Sequence, residues 1–298
     1  MVDPELGEME ITGTTRLVGV FGYPVKHSLS PPMHNAAFRA LGLDWCYVPF
    51  EVEPQRLAEA TRGVAALGMV GVNVTIPHKE AMASLIDELR GDAQALGAVN
   101  TVHCDGGRLI GYNTDGDGFL GSLASIGFDP AGKVAAVLGA GGASRAVCLA
   151  LAHAGAGEIR VANRTSRRSE ELTRLVSQVA ERGSIITTVA WGRDGIGQAL
   201  RGADLLVNAT SVGMWPDQEK MPPVRQEDLR AELVVCDLVY RPLETSLLRQ
   251  AAGRGCLTLG GAKMLALQGA VSFRIWTGVE PPVEVMEQAL LEGLAAGS

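Results

Sequence analysis

The sequence predicts an α/β protein of two domains, and three observations carry that prediction. Short runs rich in Val, Ile and Leu alternate with amphipathic stretches of helical length, the pattern of βα units around a mainly parallel sheet. The chain has 298 residues, about two domains in length, and 47% of them are hydrophobic, enough for two cores. The texture changes near Asp115, beyond which strand, turn and helix units succeed one another up to about Gly260.

Taken in order, "RLVGVFG" reads as the first strand. "SPPMHNAAFRALG" reads as a helix with Ser30 as N-cap, Pro31 in its first turn and Gly42 at its C-terminal stop. "WCYVPFEV" and "GVNVTI" are further strands, with helices expected near 55–66 and 80–89. "AVNTVHCDGGRLIGYN" holds two alternating runs joined by Asp105-Gly106-Gly107, which predicts an antiparallel hairpin. After "TDGDGF", "KVAAVLGAGGASRAVCLALAHAG" is a strand, a glycine turn and a helix, and "EIRVANRTSRRSEELTRLVSQVAERG" a second strand and helix. "IITTVAW", "ADLLVNAT" and "LVVCDLVY" supply more strands. The closing helices, "AKMLALQGAVSFRIWTG" and "VEVMEQALLEGLA", are expected to return to the first domain. One domain is then 1–115 plus 261–298 and the other 116–260.

Composition narrows the function classes. A net charge of −7 with no basic run argues against a nucleic-acid surface. The five cysteines are scattered without a C-x-x-C pair and the five histidines lack ligand spacing, so neither a disulfide framework nor a metal site is expected. The stretch "MVDPELGEMEITGTTR" is unlike a secretory signal, and no apolar run approaches the ~18 residues of a membrane span. A soluble cytoplasmic protein, monomer or homodimer, working on a small molecule, is the expectation.

In "LGAGGASRA" the residues Gly139, Ala140, Gly141, Gly142 and Ala143 lie between an apolar strand and a helix. Glycines let the backbone turn sharply and approach a pyrophosphate, which free N–H groups of the helix N-terminus then hold. A second strand follows at the right distance, so this half reads as a Rossmann-type dinucleotide domain. At the end of that strand an NAD site usually carries a carboxylate on the ribose. Here stand Asn163, Arg164 and Thr165, then Arg167 and Arg168. Guanidiniums bind phosphate bidentately, so NADP is the cofactor favoured.

The strand "GVNVTIPHK" ends by presenting Asn73, Thr75 and Lys79 together, and carboxyl ends of strands are where α/β proteins bind ligands. With "GYPVKHSLSPPMHN", "GAVNT", "GYNTDGDGF", "GAGGASRA", "ANRT", "NATSVGM", "DLVYRPLETSLL" and "MLALQGAVSFRIWTG", in that order and spacing, the chain resembles the shikimate dehydrogenase family. The resemblance implies reversible reduction of 3-dehydroshikimate to shikimate with NADPH, in the pathway to chorismate and the aromatic amino acids. It implies Lys79 as proton donor and acceptor with Asp115 as its acidic partner. It also implies Ser28 and Ser30 on the substrate carboxylate, with Asn73, Thr75, Asn100, Tyr240 and Gln268 as further substrate contacts. Thr210, Ser211 and Met214 would lie beside the nicotinamide ribose and Gly261 near the nicotinamide. Of the two serines, Ser30 has an ordinary capping reason to be there and Ser28 has none.

Three other readings compete with this one. A quinate/shikimate enzyme of broader specificity is opposed by the arginines, which count against its NAD use. A folate-type dehydrogenase would want a more aromatic pocket than four Tyr and six Phe suggest. A non-catalytic NADPH sensor would not need the Lys79–Asp115 pair.

Overall fold

Short apolar runs make the strands, and glycines mark several of the turns between elements. The computed structural model describes residues 10–180 and 183–296. Residues 1–9 of the polar N-terminal stretch, and 181–182 of the second helical stretch in the nucleotide half, lie outside that description. The chain divides into two compact units: the described residues up to Thr114 with those from Ala266 onward, and the described residues from Asp115 to Leu265.

The first unit runs β1 (Arg16–Gly22), α1 (Ser30–Ala40), β2 (Trp45–Glu51), α2 (Leu57–Ala66), β3 (Gly71–Val74), α3 (Lys79–Ala83), β4 (Glu88–Leu89), α4 (Asp92–Leu96), β5 (Thr101–Asp105) and β6 (Arg108–Tyr112). Its sheet has the order β2-β1-β3-β5-β6-β4. β1 pairs in parallel with β2 and β3, whereas β5 is antiparallel to β3 and β6. The hairpin turns at Gly106 and Gly107, with φ of 56° and 88°, a conformation that glycine adopts without steric cost. Val72 and Val74 point into a core with Phe21, Leu57, Val64, Met82 and Val102. Strand alternation therefore turns Asn73 to the opposite face.

Two local expectations are corrected here. Leu29, not Ser30, occupies the N-cap of α1, and Ser30 is its first helical residue. The Ser30 N–H donates to Ser28 Oγ at 3.3 Å, so it is Ser28 that satisfies a donor at the helix start. The helix expected over 80–89 stops at Ala83. Asp87 N–H donates to Leu109 O (3.0 Å), Arg90 N–H to Gly111 O (2.9 Å), and Asp87 Oδ2 accepts from Leu109 N–H (2.7 Å). The segment gains its backbone hydrogen bonds from β6 and becomes the edge strand β4.

The second unit runs α5 (Asp115–Ser125), β7 (Val134–Leu138), α6 (Gly142–His153), β8 (Glu158–Ala162), α7 (Ser166–Val179), β9 (Ile185–Val189), α8 (Arg193–Leu200), β10 (Leu205–Asn208), β11 (Val234–Asp237), α9 (Ser246–Gly253), β12 (Leu257–Gly260) and the start of α10 (Gly261–Thr277). From Ala266, α10 belongs to the first unit, where α11 (Val283–Ala296) packs on α1. The second sheet is wholly parallel, with the order β12-β11-β10-β7-β8-β9. This is the doubly wound dinucleotide-binding order, and its reversal lies between β7 and β10. Cores on both faces explain why β7 is apolar throughout and β10 and β11 up to their last residue. β12 escaped the sequence reading because four residues with one β-branched side chain give too short a signal.

Candidate active site and cofactor site

Within the first unit, the face of β3 opposite the valines carries a buried polar cluster. Tyr47 of β2 donates its hydroxyl to Asn73 Oδ1 at 2.8 Å. Asn73 Nδ2 lies 3.1 Å from Thr101 Oγ1, 3.0 Å from Ser272 Oγ of α10 and 3.1 Å from Asn100 O. Asn100 accepts from Thr114 N–H at Oδ1 (2.9 Å) and donates from Nδ2 to Thr114 Oγ1 (2.9 Å) and Gln268 Oε1 (3.3 Å). Asn73 and Asn100 are buried, and Gln268 is half-buried. Amides hidden from water need such partners, and a fully connected network holds each side chain in one orientation.

Tyr47 is itself fixed by packing, with its ring stacked on His34 at 4.5 Å between centroids. Burial pushes its phenol well above the usual range, a rise opposed by a hydrogen bond with the Ser30 side chain. His34 stays neutral, burial pulling it down to about 3. Ser30, Tyr47, Asn73, Asn100 and Gln268 thus belong to one connected group. Val99 N–H donates to Lys79 O at 2.8 Å, which ties the start of α3 to the residue preceding Asn100. Lys79, Ser28 and Thr75 are all half-buried. The cluster offers hydroxyls and amides of the kind that hydrogen-bond a small polar molecule.

Four members of this cluster were not foreseen: Tyr47, Thr101, Thr114 and Ser272. Thr101 and Thr114 stand within the quoted "GAVNT" and "YNTDGDGF", and Ser272 follows Gln268 by one helical turn, so weak signals existed for three of them. Tyr47 had none, because its role depends on a partner 26 positions away.

In the second unit, β7 is followed by Gly139, whose φ is 115°. A Cβ there would lie 2.8 Å from Ala209 O and from Ser144 Oγ, so only glycine fits. At Gly141 and Gly142 a Cβ would meet nothing within 4 Å, leaving the turn bare before the 12-residue helix α6. Ala140 is buried and Ala143 half-buried. Leu138, Ala162, Asn208, Asp237 and Gly260 lie in register at the carboxyl edge of the sheet. After Ala162, Asn163 Nδ2 donates to Thr165 O (3.0 Å), and Arg164 and Arg168 are exposed. Arg167 is drawn off by Glu171 at 2.9 Å, whereas among the described residues Arg164 and Arg168 make no salt bridge.

Thr210 donates its hydroxyl to Asn208 Oδ1 at 2.7 Å, while Ser211 and Met214 are exposed. Tyr240 is half-buried, and burial raises its phenol. Gly261 has a packing reason, since a Cβ would collide with the Leu238 carbonyl. Asp115 is buried and opens α5 directly after Thr114 of the amide cluster. Among the described residues, no group of three or more His, Cys, Asp or Glu could hold a metal, and no helix is long and apolar enough to cross a membrane.

Comparison with known proteins fits both regions to one family. Residues 20–102 match the shikimate dehydrogenase substrate binding domain, 122–238 the family described as shikimate/quinate 5-dehydrogenase, and 261–291 the shikimate 5′-dehydrogenase C-terminal domain. The NADP(+) shikimate dehydrogenase of Methanopyrus kandleri is 50% identical over 96% of this chain and 98% of its own. A shikimate dehydrogenase solved with NADP+ has a TM-score of 0.89 and 42% identity, covering 96% of this chain and 98% of its own. The Listeria monocytogenes enzyme, solved with shikimate and NAD, has a TM-score of 0.89 and 37% identity, covering 94% of this chain and 98% of its own. With matched domains along most of its length and a relative identical at half its positions, this chain belongs to the shikimate dehydrogenase family.

Proposed function

We propose that the chain is an oxidoreductase that interconverts 3-dehydroshikimate and shikimate with NADP(H), on the route to chorismate and the aromatic amino acids. The observation that carries this reading is the buried cluster of Asn73, Asn100, Thr114 and Gln268, with the Lys79 carbonyl bonded to Val99 beside Asn100, in a member of this family. Residues 1–115 with 261–298 are read as the substrate-binding domain and 116–260 as the nucleotide-binding domain.

The residues present fit a dinucleotide: a glycine turn bare at Gly141 and Gly142, the N–H groups opening α6, and Arg164 and Arg168 after β8, which make no salt bridge among the described residues. When bound, NADPH supplies the hydride for the carbonyl carbon. Lys79 stabilises the negative charge growing on the carbonyl oxygen and gives it a proton, reversing that transfer in the oxidation. Asp115 accepts a hydrogen bond from a substrate hydroxyl and orients it. Ser28, Ser30 and Thr75 receive the carboxylate, and Asn73, Asn100, Tyr240 and Gln268 set the ring hydroxyls. Thr210, Ser211, Met214 and Gly261 would hold the nicotinamide end. The enzyme works in the cytoplasm, as monomer or homodimer, without nucleic acid.

A turnover assay with shikimate and NADP+, repeated with quinate and with NAD+, tests this. Formation of NADPH from shikimate is expected. Turnover of quinate at a similar rate would favour the broader enzyme, and NADPH binding without turnover would favour a sensor.

A further inference from the structure

The carboxyl edge of the second sheet holds a buried acid to which neither the proton transfer nor the substrate contacts assign a role. Asp237 is the last residue of β11 and stands in register with Asn208 of β10. Both are fully buried, as is Thr245, the N-cap of α9. Asp237 Oδ1 accepts from Asn208 Nδ2 at 2.9 Å and from Val239 N–H at 3.1 Å, and Oδ2 accepts from the Thr245 hydroxyl at 2.7 Å.

Asn208 passes this anchoring forward. Its Nδ2 reaches Val212 O (3.2 Å), its Oδ1 accepts from Thr210 N–H (3.2 Å) and Oγ1 (2.7 Å), and Thr210 Oγ1 accepts from Val212 N–H (3.1 Å). Asp237 thus links the N-cap of α9 to Asn208 and Thr210, whose side chains shape the loop that follows β10. The start of that loop abuts the glycine turn: Ala209 O lies 3.4 Å from Ser144 Oγ and would lie 2.8 Å from a Cβ on Gly139. Burying a carboxylate is unfavourable unless its charge is used, and here the charge strengthens three hydrogen bonds at once.

We infer that Asp237 is a positioning residue for the cofactor: its carboxylate, gripped by Asn208, Val239 and Thr245, holds the 209–214 loop against the dinucleotide turn. The inference rests on the NADP reading given above and adds to it the residue that preorganises that site. A loop already held in its binding shape binds more tightly than one that must be ordered by the ligand.

The test is direct titration of NADPH, by its fluorescence, into the full-length wild type, Asp237→Asn, Thr245→Val and Thr245→Ser, with shikimate binding followed separately by calorimetry. Asn at 237 keeps the shape but not the charge. Ser at 245 keeps the hydroxyl that Val removes. The expected result is an NADPH dissociation constant raised about tenfold in Asp237→Asn and in Thr245→Val but restored to within about threefold of wild type in Thr245→Ser, with shikimate affinity unchanged throughout. A folded Asp237→Asn with wild-type NADPH affinity would overturn the inference. If that variant does not fold, the Thr245 pair decides, and equal affinities for Val and Ser overturn it. Failure of the wild type to bind NADPH would instead overturn the cofactor reading.

Discussion

Removal of Arg164 or Arg168 should change the choice between cofactors rather than binding in general. Both follow the end of β8, where the adenosine ribose is expected, and neither has a salt bridge among the described residues. A charge-assisted contact from a guanidinium to a phosphate contributes about 1.5–3 kcal/mol. Both side chains are exposed, so water and salt place each at the lower end, about 1.5 kcal/mol. Since 1.4 kcal/mol is tenfold in affinity, each alanine variant should raise the KM for NADP+ about tenfold. NAD+ lacks the 2′-phosphate, and its KM should stay within about twofold. Arg167 supplies the control, because it is already paired with Glu171 at 2.9 Å and is 86% exposed. Arg167→Ala should move the NADP+/NAD+ ratio by less than about threefold. Steady-state kinetics with shikimate and either cofactor decide the matter. A wild type that uses both cofactors equally, or alanine variants whose ratio is unmoved, would refute the assignment of these arginines to the 2′-phosphate.

Three further outcomes are expected. Lys79→Ala should lower kcat by roughly 10²–10⁴, the scale of a lost acid–base group, with NADPH affinity retained, and Asp115→Asn should do similar damage; near-normal turnover of either folded variant removes that residue from the mechanism. Burial lifts the Asp237 carboxyl to about 6, against the opposing hydrogen bonds from Thr245, Val239 and Asn208, and no charged side chain adds to the shift. An acid raised in the fold is protonated there before it is in the unfolded chain, so this group favours folding increasingly as pH falls from about 6 to about 4. Relative to Asp237→Asn, the wild type should gain up to about 3 kcal/mol of unfolding free energy across that window, and a difference flat with pH contradicts the assignment. Finally, Tyr47→Phe leaves the buried Asn73 Oδ1 without the phenol donor at 2.8 Å and should cost about 1–3 kcal/mol, read as a lower urea midpoint; an unchanged midpoint would show that the Asn73 cluster does not need it.

The sequence by itself determined the two mainly parallel sheets, the hairpin and the glycine turn, because their signals are local. Val72-Asn73-Val74 shows its two faces by alternation alone, Gly106-Gly107 announces a tight turn, and the string from Gly139 to Ala143 sits between strand and helix. The Arg167–Glu171 pairing is also local, four residues apart on one helix. Other features depended on the packed chain. The stretch 84–89 is helical in composition, but from Asp87 on it found its hydrogen bonds on β6, and tertiary pairing prevailed over weak propensity. At the start of α1, chain geometry made Leu29 the cap and gave Ser28 the hydrogen bond expected of Ser30. Above all, tertiary structure decided which polar residues share a site: Asn73 meets Ser272 across 199 positions, and Asp237 holds Asn208 across 29. Such pairings are set by the stacking of strands and helices around a common core. One-dimensional patterning records that a side chain is polar and which face of its element it occupies, but not which partner waits on that face.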